Sequence, residues 1–179
     1  MKPDDADGQL VDLEAATRMW VEYSAAHADA VTLCPEYTVE RFGDSAALAD
    51  TLLHEVIRGS KRATSTLARE FQDDGEPLPR VGSHWIACDG SGTPRVILKS
   101  VELRIGTFDS ADADFARDEG EDDRSLESWR TEHSKYWRRT EAARGRIWSE
   151  EDAIVFERFL LVWPPEHAAK RPEAPGSDT

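Results

Sequence analysis

Cysteine is the first scarcity. The 179 residues hold two, Cys34 and Cys88. They fall at no CxxC spacing, and two thiols build neither a disulfide framework nor a four-cysteine zinc site, so both are read as free structural thiols. Long apolar runs are missing as well. No stretch nears the ~18 consecutive apolar residues of a membrane helix, and the opening MKPDDADGQL lacks the apolar core of a secretory signal. A cytoplasmic protein with no membrane partner is expected. Positive charge is also short, with 22 Lys and Arg against 36 Asp and Glu and a formal net charge of -14. The deficit is not confined to the ends, because residues 31–165 keep 18 basic against 26 acidic side chains. A field of that sign repels polyanions, so any nucleic-acid contact must use a local basic patch. There is no P-loop, no dinucleotide-binding glycine pattern and no Ser-His-Asp order. No motif calls for a cofactor, and nothing in the sequence addresses oligomeric state.

What is present divides into an N-terminal extension over residues 1–30, a central domain over 31–165 and a polar tail over 166–179 that is expected to be disordered. Residues 1–8 read as polar and mobile. Leu10, Leu13, Ala16, Met19, Trp20 and Tyr23 fall at helical spacing and predict an amphipathic helix to about His27. Residues 31–44 read as irregular. Ser45 is an N-cap for a helix whose buried stripe is Leu48, Leu52, Leu53 and Val56, and Gly59 sits where a helix-ending glycine belongs. Residues 62–67 are β-prone and 70–80 read as a loop. Period-two patterning at Trp85–Cys88, the turn Asp89-Gly90-Ser91-Gly92 and a strand from Arg95 to Ile105 predict a hairpin. Ser110 caps a short helix to about Arg117, Ser125 caps a longer one, and Ala153–Trp163 reads as a buried strand stopped by Pro164-Pro165. Short strands mixed with helices, without βαβ alternation, argue for an α+β fold.

Three segments carry candidate chemistry. The first is Gly59-Ser60-Lys61-Arg62-Ala63-Thr64-Ser65-Thr66. A desolvated lysine can act as a base and a neighbouring threonine can be activated by it. The same residues have a plain structural account, since cations suit a helix C-terminus and threonines suit strands. On a regular strand Lys61 and Thr64 would also face opposite sides. The second is Asp118-Glu119-Gly120-Glu121-Asp122-Asp123, five carboxylates in six positions. It offers a general acid or base and, less specifically, a cation held by Glu119, Glu121 and Asp123, although it matches no EF-hand spacing and no metal is assigned. Its structural account is acidity ahead of the Ser125 helix. The third is Trp129, Arg130, His133, Tyr136 and Trp137, followed by Arg138, Arg139, Arg144 and Arg146. These read either as the core face of a helix or as a basic, aromatic surface for a nucleotide.

In order, these pieces are FGDS at 42–45, GSKRAT at 59–64, LPRVG at 78–82, FARDEGEDDRSLESWRTEH at 115–133 and a final Phe-rich strand. Together they resemble the ASCH domain family in its longer bacterial form, over roughly residues 35–163. The resemblance implies a PUA-like fold, a small mixed β-barrel flanked by helices, in a class associated with RNA and modified bases. In amidohydrolase-like members a lysine, a threonine three residues on and a downstream glutamate act together on N4-acetylcytidine. Those match Lys61, Thr64 and Glu119, with Gly59 before the lysine. Gly59, Thr66, Glu121, Trp129, Arg130 and His133 are the expected substrate-binding residues. The expected ligand is a modified nucleoside or RNA. A ribonuclease or RNA-binding module is the second reading, and a non-catalytic small-ligand module the third. The usual Glu-Gly-Glu-Gly-Asp is Glu-Gly-Glu-Asp-Asp here, with Asp122 in the glycine position. A positive φ there would strain it.

Overall fold

The computed structural model describes residues 11–168. The expected mobile start at residues 1–8, and all of the expected tail beyond residue 168, lie outside that range. The elements run α1 (Leu13–Ala26), α2 (Ala28–Leu33), β1 (Tyr37–Arg41), α3 (Ala46–Arg58), β2 (Ala63–Leu67), α4 (Ala68–Asp73), β3 (His84–Cys88), β4 (Pro94–Gly106), a 3-10 turn at Phe108–Ser110, α5 (Ala113–Glu119), α6 (Leu126–Ala143) and β5 (Ile154–Trp163). The strands form one curled sheet, a half-barrel in the order β1-β3-β4-β5-β2. Only β1 runs parallel to its neighbour, β3; the other pairings are antiparallel. The mixed α+β architecture follows the expectation.

Caps set the boundaries that position the site. Ser45 accepts from the Leu48 N–H to open α3, and Ser125 accepts from the Ser128 N–H to open α6. Gly59 closes α3 at φ 84, a left-handed conformation that costs an L side chain and not a glycine. Three expectations are corrected. Residues 31–44 hold the end of α2 and all of the five-residue strand β1, whose Tyr37 and Val39 pack against the α1 core. The expected loop at 70–80 begins inside the short helix α4. Helix α5 is capped by Asp112, which accepts from the Phe115 N–H, while Ser110 ends the 3-10 turn before it.

The two faces of the sheet are covered differently. Leu52, Leu53 and Val56 of α3 pack with Phe42, Ala87, Val96, Leu98, Phe159 and Leu161 on one face, called the α3 side below. On the other face α1 brings Ala16, Trp20 and Tyr23 against Ile86 and Ile97. Beside it, α5 and α6 bring Phe115, Trp129 and Trp137 against Ala63, Leu67, Ile154 and Phe156. Strand alternation therefore assigns each residue of β2 and β5 a side. Ala63, Ser65 and Leu67 face α5 and α6. Thr64 and Thr66, opposite Glu157 and Val155, face the α3 side.

Candidate functional site

The site is built where the chain leaves α3 and meets the loop between α5 and α6. Two backbone contacts join these segments. The Arg62 N–H donates to the Asp118 carbonyl at 2.7 Å. Gly120, at φ 72, lies so close to the Ser60–Lys61 peptide that a Cβ there would stand 2.2 Å from the Ser60 carbonyl oxygen. Only glycine allows that approach. Two positions on, Asp122 has φ 48, so the residue in place of the family's glycine does adopt the left-handed conformation. Asp is among the residues that tolerate it best.

Lys61 is 1% exposed. Its ammonium donates to Glu121 Oε1 at 2.6 Å and to the Glu119 carbonyl at 3.4 Å, and lies 5.6 Å from the centroid of Phe42. Glu121 keeps 28% of its side chain exposed, so the pair runs from interior to surface. Strand β2 begins only at Ala63, so its alternation does not reach back to Lys61.

The Glu119 carboxylate is not the partner of Lys61. It is buried and turned toward α6. Ser65 Oγ donates to its Oε1 at 2.9 Å, while the Trp129 indole N–H and His133 Nε2, the latter at 3.1 Å, both reach Oε2. His133 Nδ1 lies 3.0 Å from the Trp129 carbonyl, so both ring nitrogens face acceptors, the arrangement of an imidazolium. Burial by itself would raise the Glu119 pKa, but the charges of His133 and Lys61 and the hydrogen bonds hold it well below the usual range. Burial would lower the His133 pKa, and the Glu119 charge outweighs it and raises it. Two cations and two anions thus share a nearly closed space. Because Ser65 and Thr64 face opposite sides of β2, Glu119 and Thr64 do too.

The remaining expected residues fall as follows. Gly59 is the C-cap of α3, with nothing within 4 Å of a Cβ built on it. Thr66 shares the α3 side with Thr64. Arg130 points away from the cluster toward Asp109, at 3.6 Å, and is 43% exposed. Asp123 accepts from the Ser125 N–H at the start of α6. The three carboxylates of Glu119, Glu121 and Asp123 therefore turn to three different partners. The basic segment is also committed. Arg144 and Arg146 pair with the fully buried Glu141, Arg146 also with Asp73 at 2.6 Å, and Arg139 with Asp44.

Sequence reasoning missed two residues on the α3 side. Trp85 is half-buried and packs edge-on against Phe42 at 5.0 Å and Phe159 at 5.7 Å. Glu157, 7% exposed, lies directly across the ladder from Thr64. The signal for Glu157 was the charged pair Glu157-Arg158 inside the otherwise apolar run IVFERFLLVW.

The comparisons agree with this fold. The high-resolution crystal structure of an ASCH domain from Lactobacillus crispatus JV V101 is similar with a TM-score of 0.77 and 24% identity, covering 84% of this chain and 96% of that one. Protein EF3133 from Enterococcus faecalis V583 is similar with a TM-score of 0.73 and 23% identity, covering 84% and 89%. At these identities the likeness shows the fold alone. No curated protein matches the chain. The model of the ASCH domain matches residues 38–163, from β1 to the end of β5, and the chain belongs to the ASCH domain family.

Proposed function

We propose that this protein hydrolyses the amide bond of an N4-acylated cytidine or a similar acylated base, using Lys61 and Thr64. The observation that carries the reading is the setting of Lys61. A lysine 1% exposed lies against Phe42 of the α3-side core, and its ion-pair partner, Glu121, reaches solvent. The Lys61 amine, in its unprotonated form, accepts the proton of the attacking hydroxyl, that of Thr64 or of a water beside it, and the oxygen adds to the amide carbonyl. A positioned general base contributes typically ~10²–10⁴-fold. Glu119 has a different part. Ionised and hydrogen-bonded on the α6 side, it fixes the loop whose carbonyl holds Lys61. Half-exposed Trp85 offers a π-face for the base. A neutral substrate also suits an acidic chain whose arginines at 139, 144 and 146 are already paired.

The test is a chromatographic assay against N4-acetylcytidine, with Lys61→Met and Thr64→Val beside the parent and circular dichroism as the fold control. Turnover reduced at least ~100-fold in Lys61→Met, with the fold kept, supports the reading. Unchanged turnover in that variant defeats it. An inactive parent that cleaves single-stranded RNA, with affinity falling steeply as salt rises, points to the ribonuclease reading instead.

A further inference from the structure

Among the described residues, Glu157 is a buried acid with no cation paired to it. It projects from β5 on the α3 side, and its pairing positions are Thr64 of β2 and Leu103 of β4. From β4, the Ser100 hydroxyl donates to its Oε1. From β3, the Trp85 indole N–H lies close without reaching hydrogen-bond geometry, and it is left unpartnered in the interior. From β1, the charged neighbour is a second carboxylate, Glu40, which accepts from the Thr38 hydroxyl at 2.8 Å. Burial first, and then the Glu40 charge, raise the Glu157 pKa to about 7 against the hydrogen bond from Ser100. This is the reverse of Glu119, which two cations hold ionised.

A general acid must reach the leaving atom and must carry a proton at working pH. Glu119 meets neither condition for an amide attacked from Thr64, because it is ionised and lies across β2. Glu157 is better placed: opposed residues of an antiparallel ladder keep their Cβ atoms within about 4.5–5.5 Å, so its carboxyl and the Thr64 hydroxyl lie side by side on the α3 side of the sheet. We propose that Glu157 is the proton donor of the hydrolysis, protonating the amide nitrogen as the C–N bond breaks. The inference rests on the amidohydrolase reading above.

The step balances. The attacking oxygen forms a bond to the carbonyl carbon and gives its proton to Lys61. The C–N bond then breaks, its electron pair stays on nitrogen, and the Glu157 O–H proton goes to that nitrogen. Lys61 ends with one proton more and Glu157 with one fewer, and one transfer through solvent resets both. Attack by water releases the free acid directly. Attack by Thr64 leaves an acyl ester, which a water then cleaves by the same route. Either way one water is consumed for each amide cleaved.

The experiment is the pH dependence of kcat and KM for N4-acetylcytidine in the parent and in Glu157→Gln, with Glu157→Asp as a second variant that keeps the acid. The expected result is a parent kcat that falls on the alkaline side with an apparent pKa near 7. Glu157→Gln should lose ~100-fold in kcat with little change in KM, and should lose that alkaline limb. Glu157→Asp should recover part of both. Glu157→Gln with parent-like kcat and the same limb overturns this assignment and leaves the hydrolase reading standing. A fall confined to KM also overturns it, because that is binding and not proton transfer. A parent without turnover overturns the hydrolase reading, and this assignment with it.

Discussion

Trp129 and His133 both donate to one oxygen, Oε2 of Glu119. They stand one turn apart on α6 with their rings stacked at 4.4 Å and 19°, so the carboxylate is gripped by a preformed fork. Glu119→Gln removes the anion and leaves a buried cation facing an amide. Breaking a buried pair on one side costs ~3–5 kcal/mol, and the loss should appear in urea denaturation at neutral pH. NMR titration should show His133 above 6.5 in the parent and lower in the variant. A parent His133 that titrates below 6.5 would sink this account.

The stability profile with pH follows from three groups. The Glu119 pKa is depressed in the fold, so its contribution is complete above 4.5 and is lost as pH falls toward about 2. The His133 pKa is raised, so its contribution is complete below 6.5 and is lost as pH rises through the folded value. Glu157 is raised from 4.5 to about 7, and its contribution fades across that interval as pH rises. Thermal melts should therefore show a maximum on the acid side of neutrality. At pH 8 Glu157→Gln should be more stable than the parent, by on the order of 3 kcal/mol, with the gap closing below pH 4.5. Equal melting temperatures at pH 8 would contradict it.

The loop between α5 and α6 makes two opposite glycine predictions. Asp122→Gly removes a left-handed side chain and should stabilise by roughly 1 kcal/mol, since the Asp122 carboxylate gains only a 3.5 Å contact from Ser128. Gly120→Ala must push the Ser60–Lys61 peptide away, and should lower both the melting temperature and turnover. If Gly120→Ala matches the parent in both, the close approach does not matter.

Glu141 is 0% exposed and collects Arg69, Arg144 and Arg146. Glu141→Gln should destabilise by ~3–5 kcal/mol, measured by denaturant midpoint. Because it takes one carboxylate from three arginines, which keep Asp152, Glu70 and Asp73, it should also raise affinity for single-stranded RNA at low salt. A variant as stable as the parent would make the cluster a surface ornament.

Local rules made much of the frame legible. Ser45, Gly59 and Ser125 each act on groups within four positions, so their capping roles can be read directly, and the hairpin announces itself by period and turn. Strand β1 was hidden because it is only five residues long and its partner β3 lies more than 40 residues on. The family resemblance brought Lys61, Thr64 and Glu119 together as a set. No spacing rule could have divided them between two sides of β2, because that split depends on α3 and α6 covering opposite faces of the sheet. Glu157 was visible as a letter but not as a site, since only the ladder sets it opposite Thr64.

One amide joins the two halves of the site: the Arg62 N–H donates to Asp118 across a separation of 56 residues. Hydrogen exchange at this one position therefore reports whether the cluster is assembled. An opening that lifts the α5–α6 loop off the Lys61 segment releases that proton, even while the sheet stays intact. The molecule carries its own gauge of readiness, readable without a substrate.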